Sequence, residues 1–228
     1  MRKQVAVIGL GRFGTSLAET LSQLGYDVLA IDSDMEKVQE IAPKVSHAVQ
    51  GDVREEQFLK SLDIGTMHAA VIAIGSNIES SVLCTLLLKQ LGVPYVIARA
   101  DNSSHHFILN KIGADQIVYP EKQMGIRWAH MLMLRNAIDY IPLSYKYGIT
   151  QITAPASMVN DTVGKAGFGK GEKDTDIVNL LMIMRKSQGQ DIIINNPSTA
   201  EIIKLGDILI AAGPDDRLEE LLTVKKNV

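Results

Sequence analysis

The chain has a single cysteine among its 228 residues, which excludes an internal disulfide and any CxxC metal or redox pair. Cys84 falls inside the apolar stretch SSVLCTLLLK, where a buried core thiol is expected rather than a nucleophile. No block of lysines and arginines is present and the formal net charge is −3, so a nucleic-acid partner is disfavoured. No segment approaches ~18 uninterrupted apolar residues. Met1-Arg2-Lys3 leads into a strand pattern without a signal peptide, so a cytoplasmic location is expected, with any membrane connection made through a partner. From Pro142 onward there is no histidine or cysteine at all. No acid–base pair is recognisable there either, so no catalytic residue is assigned and the chain reads as a non-enzyme.

What is present is a well-cored globular composition, 46% hydrophobic and 21% charged, long enough for one large domain or two small ones. The most informative stretch is QVAVIGLGRFGTSLAETLSQLGYDVLAID, residues 4–32. A β-branched run (Val5, Val7, Ile8) precedes Gly9, Gly11 and Gly14, and an amphipathic helix (Phe13, Leu17, Leu21, Leu24) follows them. A second strand then ends on Asp32. Gly9 suits the tight turn, Gly11 the close approach of phosphates and Gly14 helix–strand packing. The helix beginning near Arg12 directs free N–H groups and its positive dipole end at an anion. Asp32 can accept both ribose hydroxyls and would repel a 2′-phosphate, which disfavours NADP. Arg12 adds a cation that a polyphosphate such as ATP would use, or is simply a solvated helix-start arginine.

Strand patterns recur near 46–50, 69–74, 95–98 and 116–119, with helical patterns near 34–41, 55–61, 77–91 and 104–112. This alternation predicts an α/β fold, a Rossmann-like doubly wound parallel sheet in the order 3-2-1-4-5-6. At the carboxyl ends of its strands stand Gly51-Asp52 with Val53, Gly75-Ser76-Asn77, Arg99 with Asp101, and Glu121. Together they line a pocket, although Asn77 could equally serve as a helix N-cap. Phe13 and Val53 complete the candidate nucleotide-binding positions. The pair His105-His106 sits at a helix start, where neighbours diverge, and no ligand spacing supports a metal there.

Residues 121–139 read as a helix with apolar residues around much of its circumference (Met124, Trp128, Met131, Leu132, Leu134, Ile138). A dimer contact is expected on its second face, the alternative being packing against the rest of the chain. Thereafter strands near 149–154, 177–184, 191–195 and 207–212 and a helix over 214–222 predict a small α+β lobe of about 85 residues. The expected division is 1–120, 121–141 and 142–228. Gly164 to Lys170 match the first seven positions of a P-loop, but Gly171 stands where the magnesium-ligating hydroxyl belongs, so a flexible surface loop is expected.

With GLGRFG, Asp32, AIGSN at 73–77, KIGAD at 111–115, YPEKQMG at 119–125 and LGDILIAAGPDDRLEELL at 205–222, the chain resembles the RCK (regulator of potassium conductance) proteins over nearly its full length. These are cytoplasmic regulatory subunits of Ktr/Trk-type potassium uptake systems. The resemblance implies a homodimer assembling into an octameric ring on the inner face of an integral-membrane potassium transporter. It further implies ATP or ADP in the N-lobe, with Gly9, Gly11 and Gly14 at the phosphates, Asp32 on the ribose, Asp52 beside the adenine, and Arg12 and Arg99 meeting phosphates. Glu121 would help hold a divalent cation such as Mg or Ca at the terminal phosphate. Some relatives bind cyclic di-AMP between C-lobes. The 157–176 loop here is more glycine-rich than theirs, so no C-lobe ligand residues are carried over. NAD(H) remains the alternative ligand, for a small oxidoreductase or a redox sensor using the same turn.

Overall fold

The computed structural model describes residues 3–75, 77–134, 137–171, 173, 176–187 and 189–222. The chain forms two compact units, Met1–Pro120 and Glu121–Val228.

The first unit alternates strand and helix: β1 (Gln4–Ile8), α1 (Arg12–Gln23), β2 (Asp27–Asp32), α2 (Met35–Ile41), β3 (His47–Gln50), α3 (Glu56–Ser61), β4 (Ala69–Ile72), α4 (Ile78–Gln90), β5 (Val96–Arg99), α5 (Ser103–Ile112) and β6 (Gln116–Val118). The sheet is parallel, in the order β3-β2-β1-β4-β5-β6. It is the expected doubly wound topology.

Both faces of the central strands are covered, which is why β1 and β2 read as continuous apolar runs. Alternate residues feed two cores. Val7, Val28 and Ala30 pack with Ala18, Val38 and Ile41 on one face. Ala6, Ile8, Leu29 and Ile31 pack with Leu59, Cys84, Leu88 and Leu109 on the other. Cys84 is therefore the expected core thiol, and burial pushes its pKa up to about 12.

α6 (Pro120–Met133) is shorter than the expected 121–139 helix. Residues 135–136 lie outside the described residues, and Ala137–Pro142 forms strand β7. Pairing with β8 explains the change: Tyr140 is fully buried, a register shift between Ala137 and Asp139 leaves Ile138 exposed, and Ile141 is exposed on the opposite side from Tyr140. Leu134 is the residue that enters the core at the helix end. No described α6 residue is buried, and Trp128 and Leu132 are exposed at 55% and 78%.

The remaining strands, β8 (Tyr147–Thr153), β9 (Asn179–Ser187), β10 (Gln190–Asn195) and β11 (Ile208–Pro214), join β7 in an antiparallel sheet ordered β10-β9-β11-β8-β7. α7 (Asp215–Leu222) closes the unit.

The glycine-rich segment 164–171 is anchored rather than free. Phe168 and Val163 are buried in the core. The backbone N–H groups of Gly164, Ala166, Phe168 and Gly169 are taken by Thr199, Thr162, Val163 and Val178 carbonyls, and that of Lys165 by the Thr162 hydroxyl. A phosphate cradle needs those donors free. They are not.

Candidate functional site

The carboxyl ends of β1 to β5 surround a cleft of about 560 Å³, within the range of small-molecule sites. Its centre is the β1–α1 turn. Gly9 has φ +93°, and its N–H donates to Ile31 O at 2.8 Å, which ties the turn to β2. A side-chain carbon at Gly14 would stand 1.8 Å from Gly9 O, whereas one at Gly11 would meet no protein atom within 4 Å. The two glycines thus differ: one lets helix meet strand, the other opens onto the space of the cleft. α1 starts with no side-chain cap hydrogen bond and no acid in its first turn. Its positive end is thus offset by no cap or acid of its own first turn. By contrast α2, α4 and α5 are capped by Asp34, Asn77 and Asn102.

Asp32 is nearly buried at the end of β2. One carboxylate oxygen accepts the Leu10 N–H at 2.6 Å and the other the Asp34 N–H at 2.9 Å, with Lys37 Nζ 3.8 Å away. The acid thus fixes both the phosphate turn and the β2–α2 junction, and still lines the cleft.

One strand further out, Asp52 is engaged by Arg54. Nε contacts the two carboxylate oxygens at 2.9 and 3.0 Å, and Nη2 contacts one of them at 2.5 Å. The hydrogen bond from this guanidinium holds the Asp52 carboxyl below the usual carboxylate range. On the opposite side the Arg99 guanidinium lies against Gly75, where a side-chain carbon would stand 2.4 Å from Nη1.

Of the residues expected from sequence, Gly9, Gly11, Asp32, Asp52, Val53, Gly75, Asn77 and Arg99 line the cleft. Asn77 is also an N-cap, accepting from Ser80 N at 2.9 Å. Ser76 lies outside the described residues. Arg12 is exposed at the first position of α1, and Arg12, Phe13 and Gly14 are not in the lining. Glu121 stands in the first turn of α6, in the second unit. Among the described residues no three His, Cys, Asp or Glu side chains gather to hold a metal by themselves.

His105 and His106 do diverge: His105 is buried, accepting from Asp101 N at 3.3 Å, while His106 stacks on Tyr119. Sequence reasoning missed Arg54, Lys37, Ser33 and Ser80, all lining residues. Their signal was positional, since residues just after β2 and β3 and in the first turns of α2 and α4 sit at the same sheet edge.

A parallel sheet with an open glycine turn, an uncapped helix and a strand-end acid defines a nucleotide-binding Rossmann-type protein. The TrkA-N domain model matches residues 5–120. The Ktr system potassium uptake protein C of Bacillus subtilis (strain 168) is 40% identical over 218 residues, covering 93% of each chain. The Ktr system potassium uptake protein A of Vibrio alginolyticus is 32% identical over 220 residues, covering 96% of each. The chain belongs to the TrkA-N domain family, among the RCK regulatory subunits related to Ktr potassium uptake proteins. The solved structure of the GsuK channel bound to NAD matches all of this chain with a TM-score of 0.61 at 15% identity, a likeness of fold; the chain spans 41% of that channel's length. Among the described residues no helix is long and apolar enough to cross a membrane.

Proposed function

We propose that this chain is the nucleotide-sensing gating subunit of a membrane potassium transporter, a switch rather than an enzyme. The observation that supports it most is the cleft itself: an open Gly9–Gly11 turn before an uncapped α1, with Asp32 one strand away. Backbone and dipole hold phosphates, and the acid takes the ribose. The kinship with Ktr potassium uptake proteins supplies the transporter. ATP and ADP differ by one charged group, so they can act as a switch only if two shapes of the assembly bind them with different affinity. Arg12 and Arg99 are the cations for the terminal phosphate. Glu121 would help hold a divalent cation, Mg or Ca, in a site shared across the dimer. The exposed apolar residues of α6, Trp128 and Leu132 foremost, would pair two copies into the dimer from which an octameric ring is built. The protein would then act from the cytoplasmic face through its membrane partner. Cyclic di-AMP is a further effector for the second unit, with no residues assigned to it.

Calorimetric titration with ATP and ADP tests the switch. Arg12→Ala and Arg99→Ala should each weaken ATP more than ADP, and equal losses for both would remove the terminal-phosphate reading. A second reading, an NADH-responsive regulator, is favoured by the extent of the cleft beyond the phosphate turn to Arg99 and Asp101 at the end of β5, room for a second nucleotide half. NADH binding tighter than ATP in the same titration would select it.

A further inference from the structure

Arg54 lines the cleft beyond the ribose acid, yet the phosphate-binding turn is two strands away from it. Along the carboxyl edge the order is β1 with the turn, β2 with Asp32, then β3 followed by Gly51 to Arg54. Two strand spacings are roughly 10 Å, the scale of a nucleoside. A nucleotide whose phosphates sit at Gly11 and whose ribose sits at Asp32 therefore brings its base to the end of β3.

The side chains there are arranged for a flat aromatic ring. Val53 and Ile31 give the cleft an apolar floor. Asp52 grips Arg54 through Nε and Nη2 and also accepts the Arg54 backbone N–H at 2.9 Å. A guanidinium held by its edge in this way has a fixed plane with its faces open. Among the described residues the Arg54 guanidinium makes no hydrogen bond to any residue but Asp52. Its side chain is 47% exposed, so nothing in the protein covers it fully. Asp52 first, and more weakly Glu79 in the first turn of α4, keep the guanidinium firmly charged.

We propose that Arg54 is the residue on which the base of the bound nucleotide stacks, and that Asp52 is its positioning residue rather than an acceptor for the base. This rests on the reading of the cleft as an adenine-nucleotide site and adds the source of its base selectivity. A cation stacked on a ring favours the large purine system over a pyrimidine and is indifferent to the phosphates.

The full chain and its Arg54→Ala, Arg54→Lys and Asp52→Asn variants are titrated with ATP, UTP and inorganic tripolyphosphate. Arg54→Ala should lower ATP affinity about tenfold, UTP affinity less, and leave tripolyphosphate unchanged. Lysine keeps the charge without the plane, so Arg54→Lys should stay near the alanine value. Asp52→Asn should give an intermediate loss confined to the nucleotides. The adenine H2 and H8 proton resonances, shifted on binding by the stacked group, should move back in Arg54→Ala. Equal losses for ATP and tripolyphosphate would make Arg54 a phosphate contact and overturn the assignment, as would unchanged ATP affinity in Arg54→Ala. Wild-type protein that binds tripolyphosphate but discriminates no base would overturn it while leaving the anion site standing. Failure to bind any of the three ligands would overturn the nucleotide site itself.

Discussion

The carbonyl oxygen of Gly9 lies 1.8 Å from the point where a side chain at residue 14 would begin. No rotamer relieves that contact, because both atoms belong to backbone positions fixed by β1 and α1. Gly14→Ala should therefore push α1 off the sheet, cost about 3 kcal/mol, and abolish nucleotide binding. Gly11→Ala is the contrasting case. Its φ of −74° suits any residue and its side-chain carbon would meet no protein atom. Thermal stability should stay within about 0.5 kcal/mol of wild type while ATP affinity falls at least about tenfold. Calorimetry of both variants with and without ATP checks the pair, and a stable, nucleotide-binding Gly14→Ala would refute the steric role.

Asp32 carries two backbone N–H groups before any ligand arrives. Asp32→Asn keeps one acceptor but turns an amide toward the other N–H, a donor facing a donor. The expected cost is about 1–3 kcal/mol of stability, with a further loss of ribose-bearing ligands relative to tripolyphosphate. Denaturant melts and competition titrations measure the two effects separately.

Much of this site was readable in the chain because strand ends and glycines obey local rules. Gly9, Gly11, Gly14 and Asp32 are tied to one β–α–β unit, so their spacing carries their geometry. Arg54 was not legible, since its partner Asp52 gives no sign in sequence of gripping a side chain two residues on rather than a ligand. The end of α6 failed for a different reason. Leu134 and Ile138 continue a helical period, while Tyr140, Ile141 and the pairing with β8 impose a strand that only the assembled sheet reveals. Likewise Gly164–Gly171 looked loose because nothing local announces that Phe168 is a core residue.

His105 introduces a pH dependence with a definite sign. Burial holds its pKa below the ordinary histidine value, with Asp101 opposing more weakly. The unfolded chain then takes up a proton near pH ~6.5 that the folded chain refuses. The stability this neutral histidine contributes is fully present above that pH and is lost as pH falls toward its lower folded value. Asp115 and Asp139, held low by hydrogen bonds from Lys89 and Arg127, act only below about pH 4, where their contribution is lost in turn. Melting temperature should therefore decline between about pH 6.5 and 4, and His105→Asn should flatten that segment. An unchanged slope in the variant would show that His105 is not the responsible group.

Asp207 is the most consequential charge in the second unit. It is fully buried, it receives Arg185 Nε and Nη2 at 2.8 Å each, and it accepts the Lys204 N–H at 2.8 Å. Arg185 also reaches Glu201 at 3.1 Å, on the more exposed rim. Asp207→Ala leaves a mostly buried guanidinium with only Glu201 and the Ile202 carbonyl as partners and frees a backbone donor, so a loss of about 3–5 kcal/mol is expected. Glu201→Gln removes charge where water can replace it and should cost less than about 1 kcal/mol. Because the chain is built of two units, the loss should appear as one early unfolding step rather than a shift of the whole curve. Differential scanning calorimetry of both variants decides the matter: similar small effects would mean that the pair is a solvated surface contact, not the clamp joining β9 to the turn before β11.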